Sequence, residues 1–126
     1  MNFIKRAREI LSLEESGLRK VRTGIGKDFS QAAELILQCL ENGKKIVVTG
    51  IGKSLHIAQK ISATLASTGS TSVVLNPAQA MHGDLGILNR GDILLALSYS
   101  GESEELVALI PPARRMDVKI IAITGN

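Results

Sequence analysis

Four short runs of apolar, mostly β-branched residues restrict the fold of this 126-residue chain more than any other feature. They are 45-KIVVT-49, 72-SVVL-75, 93-ILLALS-98 and 118-VKIIAIT-124. The runs are nearly continuous in apolar character, which is typical of strands that are buried on both faces. Helical spacing follows the first and third runs, from about Ser54 to Ser67 and over 102–116. The pattern predicts an α/β fold of three αβα layers, with a parallel sheet in the middle.

The first 43 residues carry a helical pattern throughout. Apolar side chains recur at helical spacing from residue 2 to about 21, and a second helix is predicted from a cap at Asp28 or Ser30 to about Asn42. Residues 1–43 are therefore interpreted as a helical lead-in to one domain spanning 1–126. Because the first helix has no place beside a single sheet, we expect it to pack on a neighbouring subunit, giving a dimer or tetramer.

Composition excludes several classes of protein. The chain is 44% hydrophobic but 2% aromatic, with no Trp and a net charge of +3, which argues against single-stranded nucleic acid. Cys39 is the only cysteine, so we expect a buried structural thiol, no internal disulfide and no Cys/His metal site. No run of about 18 apolar residues is present to span a membrane, and the charged start lacks a signal-peptide core. We therefore expect a cytoplasmic protein without a membrane partner.

Proline and glycine mark the expected breaks. Gly43 and Gly69 are expected just after helix ends. Pro77 is expected to break the chain after the second strand, and Pro111 and Pro112 to stop or kink the helix over 102–116. Since the sequence ends one step beyond a strand, at 125–126, we expect a domain that is cut short.

The segment 49-TGIGKS-54 follows the first strand and suggests a phosphate-binding loop. A Walker A loop would need glycine at Val47, and the dinucleotide fingerprint would need it at Leu55. The acidic residue expected about 20 positions further on is also missing. Both nucleotide readings are weak. A tight turn remains, which presents backbone N–H groups, the Lys53 ammonium and the Ser54 hydroxyl.

The segment 98-SYSGESEE-105 follows the third strand and offers three serines around a glycine. Hydroxyls and N–H groups at the start of a helix suit a phosphate monoester. The alternative is ordinary helix capping by Ser100 or Ser103, with acids in the first turn. Because ligands of open α/β sheets bind beyond the carboxyl ends of the strands, two such loops together favour a phosphosugar.

Three motifs in this order resemble the sugar isomerase (SIS) family, from about Ile10 to the last residue. They are Gly50-x-Gly52-Lys53-Ser54, 81-MHGDLG-86 and Ser98-x-Ser100-Gly101-Glu102-Ser103-x-Glu105. Within the family they look most like the arabinose-5-phosphate isomerases, a group that includes capsule and lipopolysaccharide paralogues. The resemblance implies a five-stranded parallel sheet of flavodoxin-like order, of which four strands are evident.

The resemblance also implies the reaction, the reversible conversion of ribulose 5-phosphate to arabinose 5-phosphate through an enediol, without an organic cofactor or a metal. It places the sugar phosphate on serine hydroxyls and on backbone amides of the two loops. Those positions are Ser54, Ser98, Ser100 and Ser103, with Gly52, Tyr99 and Gly101. Tyr99 departs from the smaller polar residue expected there.

The resemblance further implies that Lys53, His82 and Glu105 face the reacting end of the sugar. Lys53 could stabilise enediolate charge or be a solvent-facing helix lysine. Glu105 could be a general acid or base, or a charge that complements the helix dipole. His82 could open the sugar ring or move a proton, with Asp84 orienting it, or be an ordinary loop histidine.

A second glutamate and a second histidine of the family lie beyond Asn126, so we expect the 126-residue chain to be weak or inactive alone. Two alternatives stay open. One is a non-catalytic phosphosugar-binding module, and the other is an isomerase of a different sugar phosphate.

Overall fold

The structure is a computed structural model that describes residues 2–125. Its helices are α1 (Phe3–Gly24), α2 (Lys27–Glu41), α3 (Lys53–Ser67), α4 (Pro77–Ala80), α5 (Glu104–Val107) and α6 (Ile110–Arg115), with a 3-10 turn at Asp84–Ile87. Its strands are β1 (Ile46–Gly50), β2 (Ser72–Leu75), β3 (Ile93–Ser98) and β4 (Lys119–Thr124). The chain divides into two compact units, with the boundary between Ala33 and Glu34.

The first unit holds α1 and the start of α2. Asn2 caps α1, because its side-chain oxygen accepts the Lys5 N–H at 3.0 Å. α2 begins at Lys27, so the predicted caps Asp28 and Ser30 lie inside the helix, where Asp28 complements the dipole from the first turn. None of the residues of α1 is buried. No helix within residues 2–125 has the length and apolar character of a membrane span.

The second unit is built on one four-stranded sheet, in the order β2-β1-β3-β4, with every pair parallel. In its central register Val47 pairs with Val73 on one side and with Leu94 on the other. This is the start of the flavodoxin-like order, so the predicted parallel α/β sheet is confirmed. Each strand lies within one residue of its predicted range.

Strands β1 and β3 bury both faces under helices, whereas the edge strand β4 holds no fully buried residue, contrary to the prediction from its apolar run. Ile46 and Val48 of β1 lie in one apolar cluster with Ala58 of α3, whereas Val47 lies in a second cluster with Leu106 and Leu109. Successive side chains of a strand point to opposite faces, so the two clusters are the two sides of a three-layer arrangement. Cys39 is buried as predicted, and burial raises the pKa of its thiol.

The helix predicted over 102–116 is two helices, and the expected role of the prolines was wrong. The break falls at residues 108–109, before Pro111 and Pro112, and both prolines lie in the first turn of α6. The first-turn N–H groups of a helix have no internal partner, so proline loses nothing there. Pro77 likewise begins α4, where the Asn76 side chain caps the Ala78 N–H at 3.0 Å.

Buried hydrogen bonds fasten the amino ends of the strands. The Asp92 carboxylate is 1% exposed and accepts the Lys45 N–H at 3.1 Å, the Asn89 N–H at 2.8 Å and the Lys45 ammonium at 2.5 Å. Ser62 and Ser72 share a hydrogen bond of 2.8 Å, and Ser72 donates to the Ile46 carbonyl at 3.0 Å. These groups are hydrogen-bonded within the protein, at the edge of the sheet opposite to the two candidate loops.

Candidate functional site

The first loop is a tight turn between β1 and α3. The Ser54 N–H donates to the Ile51 carbonyl at 3.1 Å, and the next N–H donates to the Gly52 carbonyl. A Cβ on Gly50 would lie 2.7 Å from the Ser54 carbonyl carbon, and Gly52 has a φ of +58°. Side chains are excluded at both positions, by contact at Gly50 and by backbone conformation at Gly52. This two-glycine turn is narrower than a nucleotide-wrapping loop.

The turn presents the start of a 15-residue helix. Within residues 2–125, no side chain caps the first turn of α3, since its N-cap residue is Gly52. The positive end of the helix dipole is therefore open to an anion. Lys53 is exposed beside it, and the half-buried Ser54 hydroxyl has no hydrogen-bond partner within the described part of the chain.

The second loop is hydrogen-bonded to itself. The Gly101 N–H donates to Ser98 Oγ at 3.0 Å, and the Glu102 N–H donates to Ser100 Oγ at 3.1 Å. Ser98 and Ser103 also share a 3.4 Å hydrogen bond between their hydroxyls. Ser103 occupies the N-cap position of α5, but its side chain makes no cap bond. The capping alternative therefore fails for Ser103, whose hydroxyl faces the serine at the end of β3 instead.

The two loops meet at one cavity of about 360 Å³. Ser54, Ser98 and Tyr99 line it from the loops, and the rest of the wall is mainly apolar: Ile57, Ile61, Leu97, Ile123, Thr124 and Gly125. Ser100 and Ser103 are not among its lining residues. The cavity lies at the carboxyl ends of β3 and β4, which is the edge where open parallel sheets bind ligands.

Tyr99 borders this cavity with its ring almost fully exposed. The Gly125 N–H donates to the Tyr99 carbonyl at 3.0 Å, and a Cβ on Gly125 would lie 2.8 Å from the ring. The glycine that follows β4 therefore makes room for the aromatic side chain. This contact depends on a residue 26 positions further along the chain, so no local pattern around Tyr99 indicates it.

The candidates for the reacting end of the sugar are exposed and separate. Lys53 begins α3, Glu105 lies in the first turn of α5, and His82 lies between α4 and the 3-10 turn. No hydrogen bond or ion pair joins these three side chains within residues 2–125. Asp84 does not hydrogen-bond His82 in this part of the chain either, so the predicted orienting contact is not formed.

Other groups near the loops have local roles. The His56 ring faces Gln59 on the same helix, at 3.3 Å from its amide oxygen. The structure of residues 2–125 holds no group of three or more His, Cys, Asp or Glu side chains arranged for a metal ion.

Thr49 is a residue whose role the sequence reasoning missed. It is fully buried, and its hydroxyl donates to the Leu75 carbonyl at 2.7 Å. The only signal in the sequence is a hydroxyl residue at the end of the otherwise apolar stretch 46-IVVT-49.

Comparisons with known proteins show the family of this chain. The model of the SIS domain family matches residues 39–126. Arabinose 5-phosphate isomerase KdsD of Pseudomonas aeruginosa is 43% identical over 126 residues, which is 100% of this chain and 38% of that protein. The Escherichia coli K12 protein of the same name is 42% identical over 125 residues, 99% of this chain and 37% of that protein. The chain thus spans little more than a third of these relatives.

A solved structure covers nearly the whole chain. Escherichia coli CFT073 c3406, in complex with arabinose 5-phosphate, superposes with a TM-score of 0.79 at 35% identity, over 98% of this chain and 66% of that one. The family model covers the sheet and both serine loops, and the superposition reproduces the order of the elements that carry them. On the sequence match and on the fold, the chain belongs to the SIS domain family.

Proposed function

We propose that this chain supplies the phosphate-binding part of a phosphosugar aldose–ketose isomerase that interconverts ribulose 5-phosphate and arabinose 5-phosphate. The observation that carries the proposal is the meeting of the two serine loops. Ser54 and Ser98, 44 residues apart in sequence, line one cavity at the carboxyl edge of the sheet. An isolated serine at a helix start is ordinary, whereas two from neighbouring strands suit the several oxygens of one phosphate.

The physical basis of phosphate binding lies in the donors of the two loops. The open start of α3 and the Ser54 hydroxyl supply one side of the site. On the other side, Ser98 and Ser103 carry two hydroxyl hydrogens between them and use one in their mutual bond, so the other can donate to phosphate. Because Ser98 accepts the Gly101 N–H, the loop is already shaped before the anion arrives.

The phosphate then holds the sugar while the chemistry occurs at the other end. A base takes a proton from C1 of the open-chain ketose and returns a proton to C2, while the hydrogen of the C1 hydroxyl passes to O2. Glu105 acts as this acid and base, Lys53 stabilises the enediolate charge, and His82 serves ring opening or proton movement between the oxygens. No oxidant or reductant is consumed, because the two sugars are isomers.

Relatives support the choice of substrate. Curated proteins that match nearly the whole chain include arabinose 5-phosphate isomerases, and one matching structure holds arabinose 5-phosphate. Capsule or lipopolysaccharide synthesis would be the use of such a product.

The direct test is turnover of ribulose 5-phosphate to arabinose 5-phosphate by the full-length protein, followed by ¹H NMR, with the 126-residue chain, which we expect to be weak or inactive, assayed beside it. A panel of pentose, hexose and heptose phosphates distinguishes this reaction from that of a related isomerase. We expect conversion of the pentose pair only. Turnover of a hexose or heptose phosphate with no activity on pentose phosphates would replace the proposed substrate while keeping the reaction type.

A phosphosugar-binding module without catalysis is the second candidate. The observation in its favour is that Lys53, His82 and Glu105 are exposed and, within residues 2–125, unconnected to one another. Glu105→Gln separates the two candidates, with Glu104→Gln as the matched control on the same helix turn. An isomerase should lose roughly 100-fold or more in kcat through Glu105 alone and keep its affinity for the sugar phosphate. Unchanged turnover in Glu105→Gln would remove Glu105 from the mechanism.

We also propose that α1 forms the contact between subunits of a dimer or tetramer. Phe3, Leu11 and Leu18 are 75%, 63% and 70% exposed, and no residue of the helix is buried. Exposed apolar stripes of this kind mark protein contacts. Light scattering tests the proposal: Leu11→Lys with Leu18→Lys should lower the mass to that of a monomer, and a monomeric unmodified protein would contradict it.

A further inference from the structure

Thr49 is the one fully buried polar side chain at the carboxyl edge among the residues the structure describes. The other buried polar residues are Ser62 and Asp92, and both belong to the networks at the amino ends of the strands. Thr49 follows Val47 and Val48 in the same strand, and valine has the same branched shape. Packing alone therefore does not require a hydroxyl at this position.

The hydroxyl of Thr49 joins the ends of two strands. It donates to the Leu75 carbonyl at 2.7 Å, and these two residues are direct partners in the register of β1 and β2. Leu75 is the last residue of β2, a strand of four residues of which it is the one that is fully buried. This hydrogen bond of ordinary length adds a side-chain link at the last pair of the ladder that joins β2 to β1.

Each end leads directly into a segment with a proposed catalytic group. One residue past Thr49 begins the Gly50 turn that carries Lys53. One residue past Leu75, Asn76 caps α4, and the His82 N–H donates to the Gln79 carbonyl at the end of that helix at 2.9 Å. The seven residues from Asn76 to His82 thus form a short hydrogen-bonded helix and turn outside the sheet. The position of this segment therefore depends on where the chain leaves β2.

We propose that Thr49 is a positioning residue, whose bond to Leu75 sets the place of the His82 segment relative to the Lys53 turn. The effect on catalysis rests on the proposed isomerase function. The structural role of the Thr49–Leu75 bond does not depend on that function. Within residues 2–125 the Thr49 hydroxyl bonds the Leu75 carbonyl and neither Ser54 nor Ser98, so we expect its loss to act on the β2 side more than on phosphate binding.

The test compares Thr49→Val, which keeps the shape and removes the donor, with Thr49→Ser, which keeps the donor. Valine has the branched shape of threonine, so it fits the same place, beside a small apolar cavity of about 70 Å³ that Ser98 also lines. Ser72→Ala is the matched control, since it removes a hydroxyl bond between the same two strands at their amino ends.

In the full-length protein, Thr49→Val should lower kcat on ribulose 5-phosphate about tenfold or more and change KM by less than about twofold, because a small misplacement of a catalytic group has large effects. Thr49→Ser should have a kcat close to that of the unmodified protein. Ser72→Ala should also keep its kcat, even if it lowers Tm as much as Thr49→Val does. Equal losses of kcat in Thr49→Val and Ser72→Ala would overturn the proposal, because they would show a general structural effect.

A second measurement distinguishes failure of the positioning role from failure of the proposed isomerase function. In ¹⁵N spectra, Thr49→Val should shift the amide signals of residues 76–83, whereas Thr49→Ser should not. Unchanged signals over 76–83 in Thr49→Val would refute the positioning role. If the full-length protein has no isomerase activity, the proposed function fails, and the spectra alone then decide whether Thr49 holds the segment.

Discussion

The two ends of the same four strands use their polar groups in different ways. At the amino ends, Asp92 and Ser62 are buried, and each is hydrogen-bonded to a half-buried partner, Lys45 and Ser72 respectively. At the carboxyl ends, serine hydroxyls and the start of α3 line a cavity and are open to solvent. We therefore propose that the amino end contributes stability, and that the Ser54 hydroxyl and the start of α3 at the carboxyl end serve a ligand. Polar residues at the two ends thus differ in their hydrogen-bond partners rather than in residue type.

The largest effect is expected from Asp92→Ala at the amino end of the sheet. Removing the buried carboxylate leaves Lys45 without its partner and two backbone N–H groups unpaired, so we expect a loss of about 3–5 kcal/mol in the free energy of unfolding. Urea titration measures it. The matched control is Asp117→Asn, because Asp117 pairs with Arg90 where both side chains are mostly exposed, and about 0–1 kcal/mol is expected there. Similar losses in both variants would contradict the importance of the buried end.

The next largest effect is expected at the Gly50 turn between β1 and α3. Gly50→Ala places a Cβ against the backbone of Ser54, so the start of α3 must move. We expect a loss of about 1–3 kcal/mol in stability, together with loss of sugar-phosphate binding. Gly17→Ala in α1 meets no atom within 4 Å and should leave binding intact. Retained affinity in a folded Gly50→Ala protein would show that the turn geometry is not needed by the ligand.

At the carboxyl end itself, Ser98→Ala should weaken sugar-phosphate binding with little cost in stability. One lost hydrogen bond to a charged group corresponds to about 1.5 kcal/mol, or roughly tenfold in affinity. Calorimetric titration with arabinose 5-phosphate gives the affinity, and a urea midpoint gives the stability. Ser67→Ala removes an exposed hydroxyl bond at the far end of α3 and should change neither. A Ser98→Ala protein with full affinity would remove this serine from the site.

The smallest effect concerns Cys39, which belongs to the packed part of the molecule. Burial raises the pKa of its thiol, so at pH 8 less of it is thiolate than in an exposed cysteine, and reaction with a disulfide reagent should be slow. The rate should rise as pH increases towards the raised pKa, and fast reaction should appear only in urea. Rapid modification of the folded protein at pH 8 would show that the thiol is accessible.

The sheet was predictable because each strand has a local signal, as Ile46–Gly50 does in its continuous apolar run. The two loops were predictable for the same reason, since glycine and serine directly follow strands. The helix break before Pro111 was not, because the prolines are compatible with either the end or the beginning of a helix. The Thr49–Leu75 bond and the Tyr99–Gly125 contact were also beyond reach, because each joins residues 26 positions apart.

The arrangement of the proposed catalytic residues also could not be predicted from local sequence patterns. Its members Lys53, His82 and Glu105 were assigned through resemblance to a family, and each stands on a separate element. Their distances depend on how α4, α5 and the connecting turns pack, which no local pattern encodes.

The most direct measurement is an amide NMR titration of the chain with arabinose 5-phosphate. If the two loops form one phosphate site, the signals of residues 50–54 and 98–103 should shift together, with a single affinity, while those of Lys45 and Asp92 stay in place. Shifts confined to one loop, or shifts at the amino ends of the strands instead, would contradict the account.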